Sequence, residues 1–376
     1  MPNPGLSDDE MLEALRLVSE YGSISEAARR IGMSRETLQS RVNKAREKFP
    51  DLSDRKPEGH RVKGVSTLYD AEGNVKAQWV KSTEDEKRAE EAREAAIRAL
   101  AASIPRAKPV PKPSAGLAHL LTLYTFTDYH VGCLAWHKEG GDDWDLEIAE
   151  NLGRDAMSAL VAGAPSSDEA IVNIQGDFLH FDGLLPVTPT HGHVLDADSR
   201  FGKVVEVAIR LIRSLVSQAL EKHRHVTLLI CEGNHDLSSS LWLRKLFKAL
   251  YELEPRVTVH DSELPYYAIA WGTNLLGFHH GHLRKNEQLP ALFAAQFREL
   301  WGRSKRTYIH TGHRHHKEVK EHPGAEVHQH PTLAARDAHA SRGGWFSERK
   351  ITAITYSTTH GEVATNTVVP EMVEAA

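Results

Sequence analysis

The chain has little cysteine and no long apolar run. Its 376 residues include only Cys133 and Cys231, which excludes a disulfide framework and favours a reducing compartment. No stretch of 18 apolar residues occurs, and the N-terminus lacks the charged-then-apolar pattern of a signal peptide. The net charge of −5 argues against a protein whose entire surface is basic and binds nucleic acid. We therefore expect a cytoplasmic protein without a membrane span, whose basic surface is local.

Histidine, in contrast, is abundant and unevenly distributed. Of the 23 histidines, all except His60 lie at or after position 119. Metal ligation and acid–base chemistry are the main reasons to concentrate imidazoles. Compositional drift in a surface-rich domain is the alternative. The position of the histidines relative to predicted strands distinguishes the two explanations.

Residues 8–48 carry a three-helix pattern. Ser23 and Glu26 form a capping box, Gly32 ends that helix, and Ser34 caps the next one. The predicted small interior consists of Ala27, Ala28, Ile31, Leu38 and Val42.

Paired alanines, a turn glycine and a Ser-Arg-x-Thr-Leu start make this segment similar to a Fis-type helix-turn-helix. The resemblance implies that Arg35, Gln39 and Asn43, on the exposed face of the third helix, contact the DNA major groove. Residues 24–48 hold seven Lys/Arg against three Glu, a local balance of +4. A trihelical module that docks on proteins is the alternative.

Four segments are predicted along the chain. A hairpin signal over 65–81 indicates either a wing of the DNA-binding unit or a separate ribbon. A charged, alanine-rich helix over 82–103 and a Pro/Lys spacer follow. The predicted boundaries are 1–64 for the helix-turn-helix domain, 65–81 for the hairpin, 82–116 for the helix and linker, and 117–376 for the remaining domain.

From residue 117 onward, strands and helices alternate, and strands dominate after 256. This pattern predicts an α/β fold in which βαβ units precede a more antiparallel half, with one helix near 287–301. Five polar clusters follow apolar strands: Asp128-Tyr-His130, Gly176-Asp177, Gly233-Asn234-His235-Asp236, His279-His280-Gly-His282 and Gly312-His313-Arg-His315. Because ligands bind beyond the carboxyl ends of strands in open α/β sheets, these loops are expected to converge. Asp, Asn and His are ligands that borderline divalent metals accept.

The order D-x-H, G-D, G-N-H-D, H-G-H, G-H-x-H resembles the calcineurin-like metallophosphoesterase superfamily across residues 120–316. The resemblance implies a four-layer α/β/β/α sandwich. It also implies two divalent ions, Mn²⁺ first, with Zn²⁺, Fe²⁺ or Ni²⁺ as alternatives. One ion is implied to bind Asp128, His130 and His315, the other Asn234, His280 and His313, and Asp177 is implied to bridge them.

The same resemblance implies roles for residues that bind no metal. His235 is implied to be the general acid that protonates the leaving oxygen, and Asp236 to orient its neighbours. The stretch Gly176-Asp177-Phe178-Leu179-His180 is similar to SbcD-like repair nucleases, in which this histidine contacts the scissile phosphate. His180 is therefore expected to contact phosphate, with a supporting position beside the ligands as the alternative.

The layout is similar to phage-encoded metallophosphoesterases with a DNA-binding front end. The sequence predicts a dimetal phosphodiesterase, a DNA nuclease of phage or prophage origin, whose partner is DNA and which acts in the host cytoplasm. One alternative is a phosphatase or cyclic-nucleotide phosphodiesterase; another is a DNA-binding regulator or packaging factor with a vestigial metal site. For four further histidines, a nucleotide groove and plain solvation are both open: His191, His193, His330 and His339.

Overall fold

The computed structural model describes residues 6–21, 23–48, 60–69, 75–84, 111, 113, 116–189 and 191–374. The chain divides into two compact units, Met1–Glu91 and Ala92–Ala376. Each unit has its own apolar interior or sheet. None of the described helices combines the length and the apolar content that a bilayer span requires.

The first unit begins with the three predicted helices. They are α1 (Asp8–Tyr21), α2 (Ile24–Ile31) and α3 (Arg35–Lys48). The Ser23 side chain accepts a hydrogen bond from the Glu26 backbone N–H at 3.2 Å, and Gly32 ends α2 in the left-handed conformation with φ of 68°. These two features confirm the predicted start and end of α2.

The interior of the three helices contains four of the five predicted residues and lacks Ile31. The buried apolar side chains of the three helices are Met11, Ala14, Ala27, Ala28, Leu38, Val42 and Ala45. Ile31 was predicted to join them but is 37% exposed, because α2 ends at this residue and Gly32 turns the backbone away. The prediction for Ile31 is therefore wrong.

A two-stranded antiparallel ribbon follows in the same unit, formed by β1 (His60–Tyr69) and β2 (Val75–Glu84). It starts earlier and ends later than the hairpin predicted over 65–81, so residues 82–84 belong to a strand and not to the predicted helix. The rest of that helix and most of the proline-rich spacer lie outside the described residues.

The second unit alternates strands and helices and then becomes richer in strands. Its strands are β3 (Leu117–Phe126), β4 (Ser167–Ile174), β5 (His225–Ile230), β6 (Val257–Val259), β7 (Tyr267–Trp271), β8 (Asn274–Phe278), β9 (Arg306–Thr311), β10 (Glu318–His322), β11 (Ala325–Gln329), β12 (Ile351–Ser357) and β13 (Gly361–Val368). Its described helices are α4 (His137–Gly140), α5 (Leu146–Gly163), α6 (Phe201–Lys222), α7 (Leu237–Leu250), α8 (Leu289–Gln296), α9 (Arg298–Arg303), α10 (Ala338–Gly343) and α11 (Glu371–Glu374).

These strands form two sheets. The six-stranded sheet has the order β13-β12-β3-β4-β5-β6, with β3 to β6 parallel and β12 and β13 antiparallel to their neighbours. The five-stranded sheet has the order β10-β11-β9-β8-β7, in which β11, β9 and β8 run parallel. The parallel strands arise from the predicted βαβ units, because a parallel neighbour needs a crossover connection.

Alternating side chains of the strands pack the unit into four layers. Tyr124 and Val172, on one face of the six-stranded sheet, pack with helices α5, α6 and α7. On the other face, Leu123 packs against Phe278 of the five-stranded sheet. Helices α8 and α9 cover the far side of that second sheet, where Phe293 contacts its strands. The predicted α/β/β/α sandwich is confirmed.

Two parts of this unit differ from the sequence prediction. The single helix predicted over 287–301 is wrong, because Phe297 leaves helical geometry (φ −119°, ψ 48°) and separates α8 from α9. The tail after residue 316, which the sequence pattern left without an assignment apart from Ile351–Ser357, supplies β10, β11 and β13 to the edges of both sheets.

Candidate metal centre

Seven predicted ligands lie where strands end. Asp128 and His130 follow β3, Asp177 follows β4, and Asn234 follows β5. These three strands are parallel neighbours, so their carboxyl ends meet at one edge of the sheet. His280 follows β8, and the turn with His313 and His315 follows β9, from the facing sheet.

The structure brings six of these side chains together in two groups. Asp128, His130 and His315 form one group, and Asp177, His280 and His313 form the other. Within each group, one donor atom per residue lies within 4.8 Å of the others. The groups adjoin, because His280 Nε2 lies 3.0 Å from Asp177 Oδ2 and 3.8 Å from Asp128 Oδ1.

The seventh residue, Asn234, lies on the loop that contacts Asp177. The backbone N–H of His235 donates to Asp177 Oδ1 at 2.7 Å, and Gly233 packs directly against Asp177. Asn234 Oδ1 is buried and has no hydrogen-bond donor among the described residues. A buried amide oxygen without a donor is unfavourable unless another group binds it.

The backbone of this centre is strained. Among the described residues, the non-glycine residues with positive φ are Asp128, His130, Asp177, His313 and His315, with φ between 47° and 70°. Each such residue costs about 1 kcal/mol or more, because its Cβ crowds the following carbonyl oxygen. All five are predicted ligands, and strain of this kind persists where the surrounding structure holds a functional geometry.

The two carboxylates stay ionised in spite of full burial. Burial by itself raises the pKa of Asp128, but the imidazoles of His315 and His280 lower it below its usual value. The same balance, with His280 and His235 as the lowering groups, holds the pKa of Asp177 well below its usual value. Burial opposes the charge of His280, yet Asp177 and Asp128 raise its pKa to about 10. The centre thus holds two buried negative charges, which the imidazolium of His280 balances only in part.

The donor set fits divalent metal ions. His280 Nδ1 lies 2.9 Å from the Gln175 carbonyl oxygen, so this nitrogen carries the proton and Nε2 faces the centre. Neither this Nε2 nor Asn234 Oδ1 makes a hydrogen bond within the described part of the chain. Two carboxylates, an amide oxygen and imidazole nitrogens together form the mixed nitrogen–oxygen set that Mn²⁺, Fe²⁺ and Zn²⁺ accept.

Two further imidazoles border this centre. Donor atoms of His130, His180 and His235 lie within 4.8 Å of one another. The His180 carbonyl oxygen accepts from His235 Nδ1 at 2.8 Å, and His180 Nδ1 lies 3.2 Å from His130 Nδ1. Burial lowers the pKa of His180 to about 4, so its imidazole is neutral at neutral pH. His180 Nε2 is buried without a hydrogen-bond partner among the residues that the structure describes.

Asp236 holds the loops of the centre together. Its Oδ1 accepts from the backbone N–H groups of Asp177 at 3.2 Å and Gly233 at 3.0 Å. Its Oδ2 accepts from Phe178 at 2.7 Å and Leu179 at 3.2 Å. Asp236 was expected to orient its neighbours, and these four bonds join the loops after β4 and β5.

His282 adjoins the centre but was not among the predicted ligands. Its ring centroid lies 5.4 Å from that of His280 and 6.4 Å from that of His313, and its buried Nδ1 has no hydrogen-bond partner in the described chain. The sequence offered a sign of this position in the cluster His280-Gly-His282, because residues two apart in an extended segment point to the same side.

Four histidines were predicted either to line a nucleotide groove or to be solvated. In the structure, three of them are exposed and one is buried. His191, His193 and His339 are exposed. His330 is only 4% exposed and contacts His310 Nδ1 at 2.9 Å, so it is not solvated. The interpretation of His330 as solvated is therefore wrong, because His330 directly follows β11 and lies in the interior between the sheets, where it borders a cavity.

The predicted DNA-binding residues lie together on α3 of the other unit. Arg35 and Asn43 are exposed and Gln39 is partly exposed, with Gln39 Nε2 donating to Asn43 Oδ1 at 3.0 Å. Cations of the same segment are partly paired within the unit, since Arg29 and Arg30 contact Glu26. The exposed face of α3 therefore presents a guanidinium and two amides side by side.

No protein-family model matches the sequence, and no curated protein matches it. Solved structures resemble the chain at a low level. Vps29 from Entamoeba histolytica, complexed with zinc, is 14% identical, with a TM-score of 0.28, and the match covers 66% of this chain and 98% of that one. An archaeal phosphodiesterase is 12% identical, with a TM-score of 0.32 and coverage of 66% and 99%. A conserved protein of Streptococcus pneumoniae described as a predicted phosphoesterase is 9% identical, with a TM-score of 0.28 and coverage of 66% and 97%. Similarities this low transfer no activity, so the chemistry has to follow from the residues of this site.

Proposed function

We propose that the second unit is a dimetal phosphodiesterase of the calcineurin-like metallophosphoesterase superfamily, and that the chain acts on DNA. One observation carries the proposal. Six ligand-type side chains from four strand ends meet in two adjoining groups, and five of them adopt a left-handed backbone that only a demanding geometry maintains.

Seven residues hold the two ions in this proposal. Asp128, His130 and His315 bind one ion; Asn234, His280 and His313 bind the other, and Asp177 is shared between them. Divalent ions bound there supply Lewis acidity and offset the negative charge of the phosphoryl group. Mn²⁺ is the proposed metal, since the set mixes carboxylate, amide and imidazole donors.

His235 acts as the proton donor to the leaving oxygen. A carbonyl oxygen only accepts, so the contact of His235 Nδ1 with the His180 carbonyl fixes a proton on Nδ1. Its Nε2 is then the nitrogen that binds and releases a second proton. The carbonyl also fixes the ring plane, which a general acid needs in order to reach its substrate oxygen.

His180 contacts the phosphodiester as a neutral hydrogen-bond donor. With a proton on its Nδ1, His130 donates to His180 Nδ1, 3.2 Å away, and its Nε2 would be the atom left to hold the metal. His180 then carries its own proton on Nε2, the buried atom that lacks a partner in the described chain. An uncharged N–H donor suits the single negative charge of a phosphodiester.

The substrate class and the metal dependence are tested together with activated esters. With Mn²⁺ supplied, we expect the full chain to hydrolyse bis-p-nitrophenyl phosphate faster than the monoester. Asp177→Asn should abolish this activity and lower the metal content. His235→Ala should keep its metals and lose more activity on DNA than on the activated diester, whose leaving group needs little protonation. Preference for the monoester would favour a phosphatase, and an Asp177→Asn variant with full activity and two bound ions would refute the dimetal assignment.

The DNA substrate is tested separately through α3. Arg35→Ala combined with Gln39→Ala should weaken duplex binding in a salt-dependent manner and leave turnover of the small diester unchanged. Glu36→Ala, on the same helix, serves as a control that removes an exposed side chain without removing a cation. Unchanged DNA affinity in the double variant would make protein docking the better explanation of the helical unit.

A further inference from the structure

A different cluster of metal-binding side chains lies between the edges of the two sheets. Glu326 and His328 are two residues apart on β11, in the five-stranded sheet, and Glu362 belongs to β13, the edge strand of the six-stranded sheet. Residues i and i+2 of a strand share one face, so Glu326 and His328 project together. One donor atom from each of the three side chains lies within 4.8 Å of the others.

The imidazole of His328 turns its Nε2 atom toward the two carboxylates. The residue is 5% exposed, and its buried Nε2 makes no hydrogen bond with any described residue. This atom lies against Glu326 Oε1 without hydrogen-bond geometry and 3.8 Å from Glu362 Oε2. A buried polar atom without a partner is costly, and here it points at two potential metal ligands.

Neighbouring imidazoles in the same interior are satisfied. His330 Nε2 lies 2.9 Å from His310 Nδ1, and His330 Nδ1 lies 3.3 Å from Thr352 Oγ1. His310 Nε2 in turn lies 3.3 Å from the Tyr356 hydroxyl. The Nε2 atom of His328 takes no part in this network, so its position is not explained by hydrogen bonding to the histidines around it.

Glu362 is held so that one oxygen remains free for a ligand. Its Oε1 accepts from Thr365 Oγ1 at 2.6 Å, and its backbone N–H donates to the Tyr308 hydroxyl at 3.2 Å. These bonds leave Oε2 as the oxygen that faces His328. Bonds to β13 and β9 therefore position Glu362, and its Oε2 lies 3.8 Å from His328 Nε2.

The charges of the cluster call for a cation. Two carboxylates this close repel each other, and they are only partly exposed, with side-chain exposures of 28% for Glu326 and 31% for Glu362. A divalent ion would balance the two negative charges.

A cavity adjoins the cluster and gives an ion room. It has a volume of about 110 Å³ and is lined by the three residues together with Lys317, Thr352 and others. This volume exceeds what a single water occupies, so an ion can keep water in any coordination position that the protein leaves open.

We propose that Glu326, His328 and Glu362 bind one divalent transition-metal ion of the zinc type, which links the two sheets at their edge. One imidazole nitrogen and two carboxylate oxygens are ligands that Zn²⁺ accepts, and a water from the cavity completes a four-coordinate site. Lys317 lines the same cavity, and its positive charge opposes the ion electrostatically.

The proposal is tested by counting ions on the full chain. Protein stripped with a chelator is reloaded with Zn²⁺, dialysed and analysed by elemental mass spectrometry. Glu362→Gln should bind one ion per chain fewer than the unsubstituted protein and keep its diester turnover in Mn²⁺. Glu326→Gln serves as a second variant with the same expected loss. Glu318→Gln, an exposed glutamate on the adjacent strand β10, is the matched control and should lose no ion.

Two outcomes would overturn the proposal. Equal ion counts for Glu362→Gln, Glu326→Gln and the unsubstituted chain would show that the cluster binds no metal. Lys317→Ala should tighten binding of the additional ion several-fold, whereas Lys320→Ala, also near this edge, should not. Unchanged affinity in Lys317→Ala would show that the ion does not bind in this cavity. Failure of the diester assay leaves this test intact, because the ion count does not depend on activity.

Discussion

Gly233 packs against the residue that both ions of the proposed centre share. A methyl group added at Gly233 would lie 2.1 Å from Asp177 Oδ1 and 2.2 Å from the Asp177 backbone nitrogen. A side-chain oxygen moves by rotation, but a backbone nitrogen moves only with its loop. Gly233→Ala therefore tests whether the exact separation of the loops after β4 and β5 matters.

The size of the effect follows from the overlap. Ordinary van der Waals contact begins at 3.4 Å, so the loops must separate by about 1.2 Å. Overpacking of this kind costs about 1–3 kcal/mol of stability. A displacement of about 1 Å at reacting groups lowers a rate by about 100-fold. We expect losses of this order in both quantities, because Asp177 and Asn234 lie on the two loops that move apart.

Three measurements check this expectation. Thermal unfolding reports stability, elemental analysis reports bound metal, and hydrolysis of bis-p-nitrophenyl phosphate in Mn²⁺ reports turnover. Gly202→Ala is the control, since a methyl group there meets no atom within 4 Å and a helical position gains from alanine. Gly233→Ala with turnover and metal content within about threefold of the unsubstituted chain would refute the reasoning.

Three further predictions concern charge and hydrogen bonding. Asp236→Asn replaces one accepting oxygen by a donor, which leaves two of four backbone N–H groups unpaired; we expect a loss of about 3 kcal/mol or more in chemical denaturation. Burial lowers the pKa of His223 to about 4 from an ordinary 6.5, so its neutral form stabilises the fold above pH 6.5 and about 3 kcal/mol is lost as the pH falls toward 4. In His223→Gln, melting temperatures measured between pH 7.5 and 4 should therefore fall less steeply than in the unsubstituted chain, and an equal slope would contradict this assignment. Chelation should abolish diester turnover and lower the melting temperature, because Asp128 and Asp177 then lack their counter-ions; a melting temperature that does not change would count against the metal centre.

The arrangement of strands was predictable because it depends on short apolar runs followed by polar residues. Strands β3, β4 and β5 are of this kind, so the pattern alone predicts Asp128, Asp177 and Asn234 at one sheet edge. The four-layer packing came from the resemblance and not from periodicity.

Other features depend on contacts that no local pattern encodes. Strand β10 has exposed charged side chains along its length, and its place depends on pairing with β11. The position of His330 in the interior depends on the facing sheet, which a histidine in a polar stretch does not reveal. Asp236 accepts hydrogen bonds from backbone N–H groups of residues 57–59 positions away, in the loop after β4. No local sequence pattern predicts bonds over this separation.

At the candidate ligands with a left-handed backbone, the residue that would be most stable differs from the residue that activity requires. Glycine adopts φ values of 47° to 70° without the crowding that an aspartate or histidine suffers there. Selection for heat resistance alone would therefore favour glycine at exposed positions such as His313, and would discard a donor atom with each exchange. A library of the gene screened only for thermal survival should drift away from catalysis at these positions, whereas one screened for diester cleavage should retain the less stable residues.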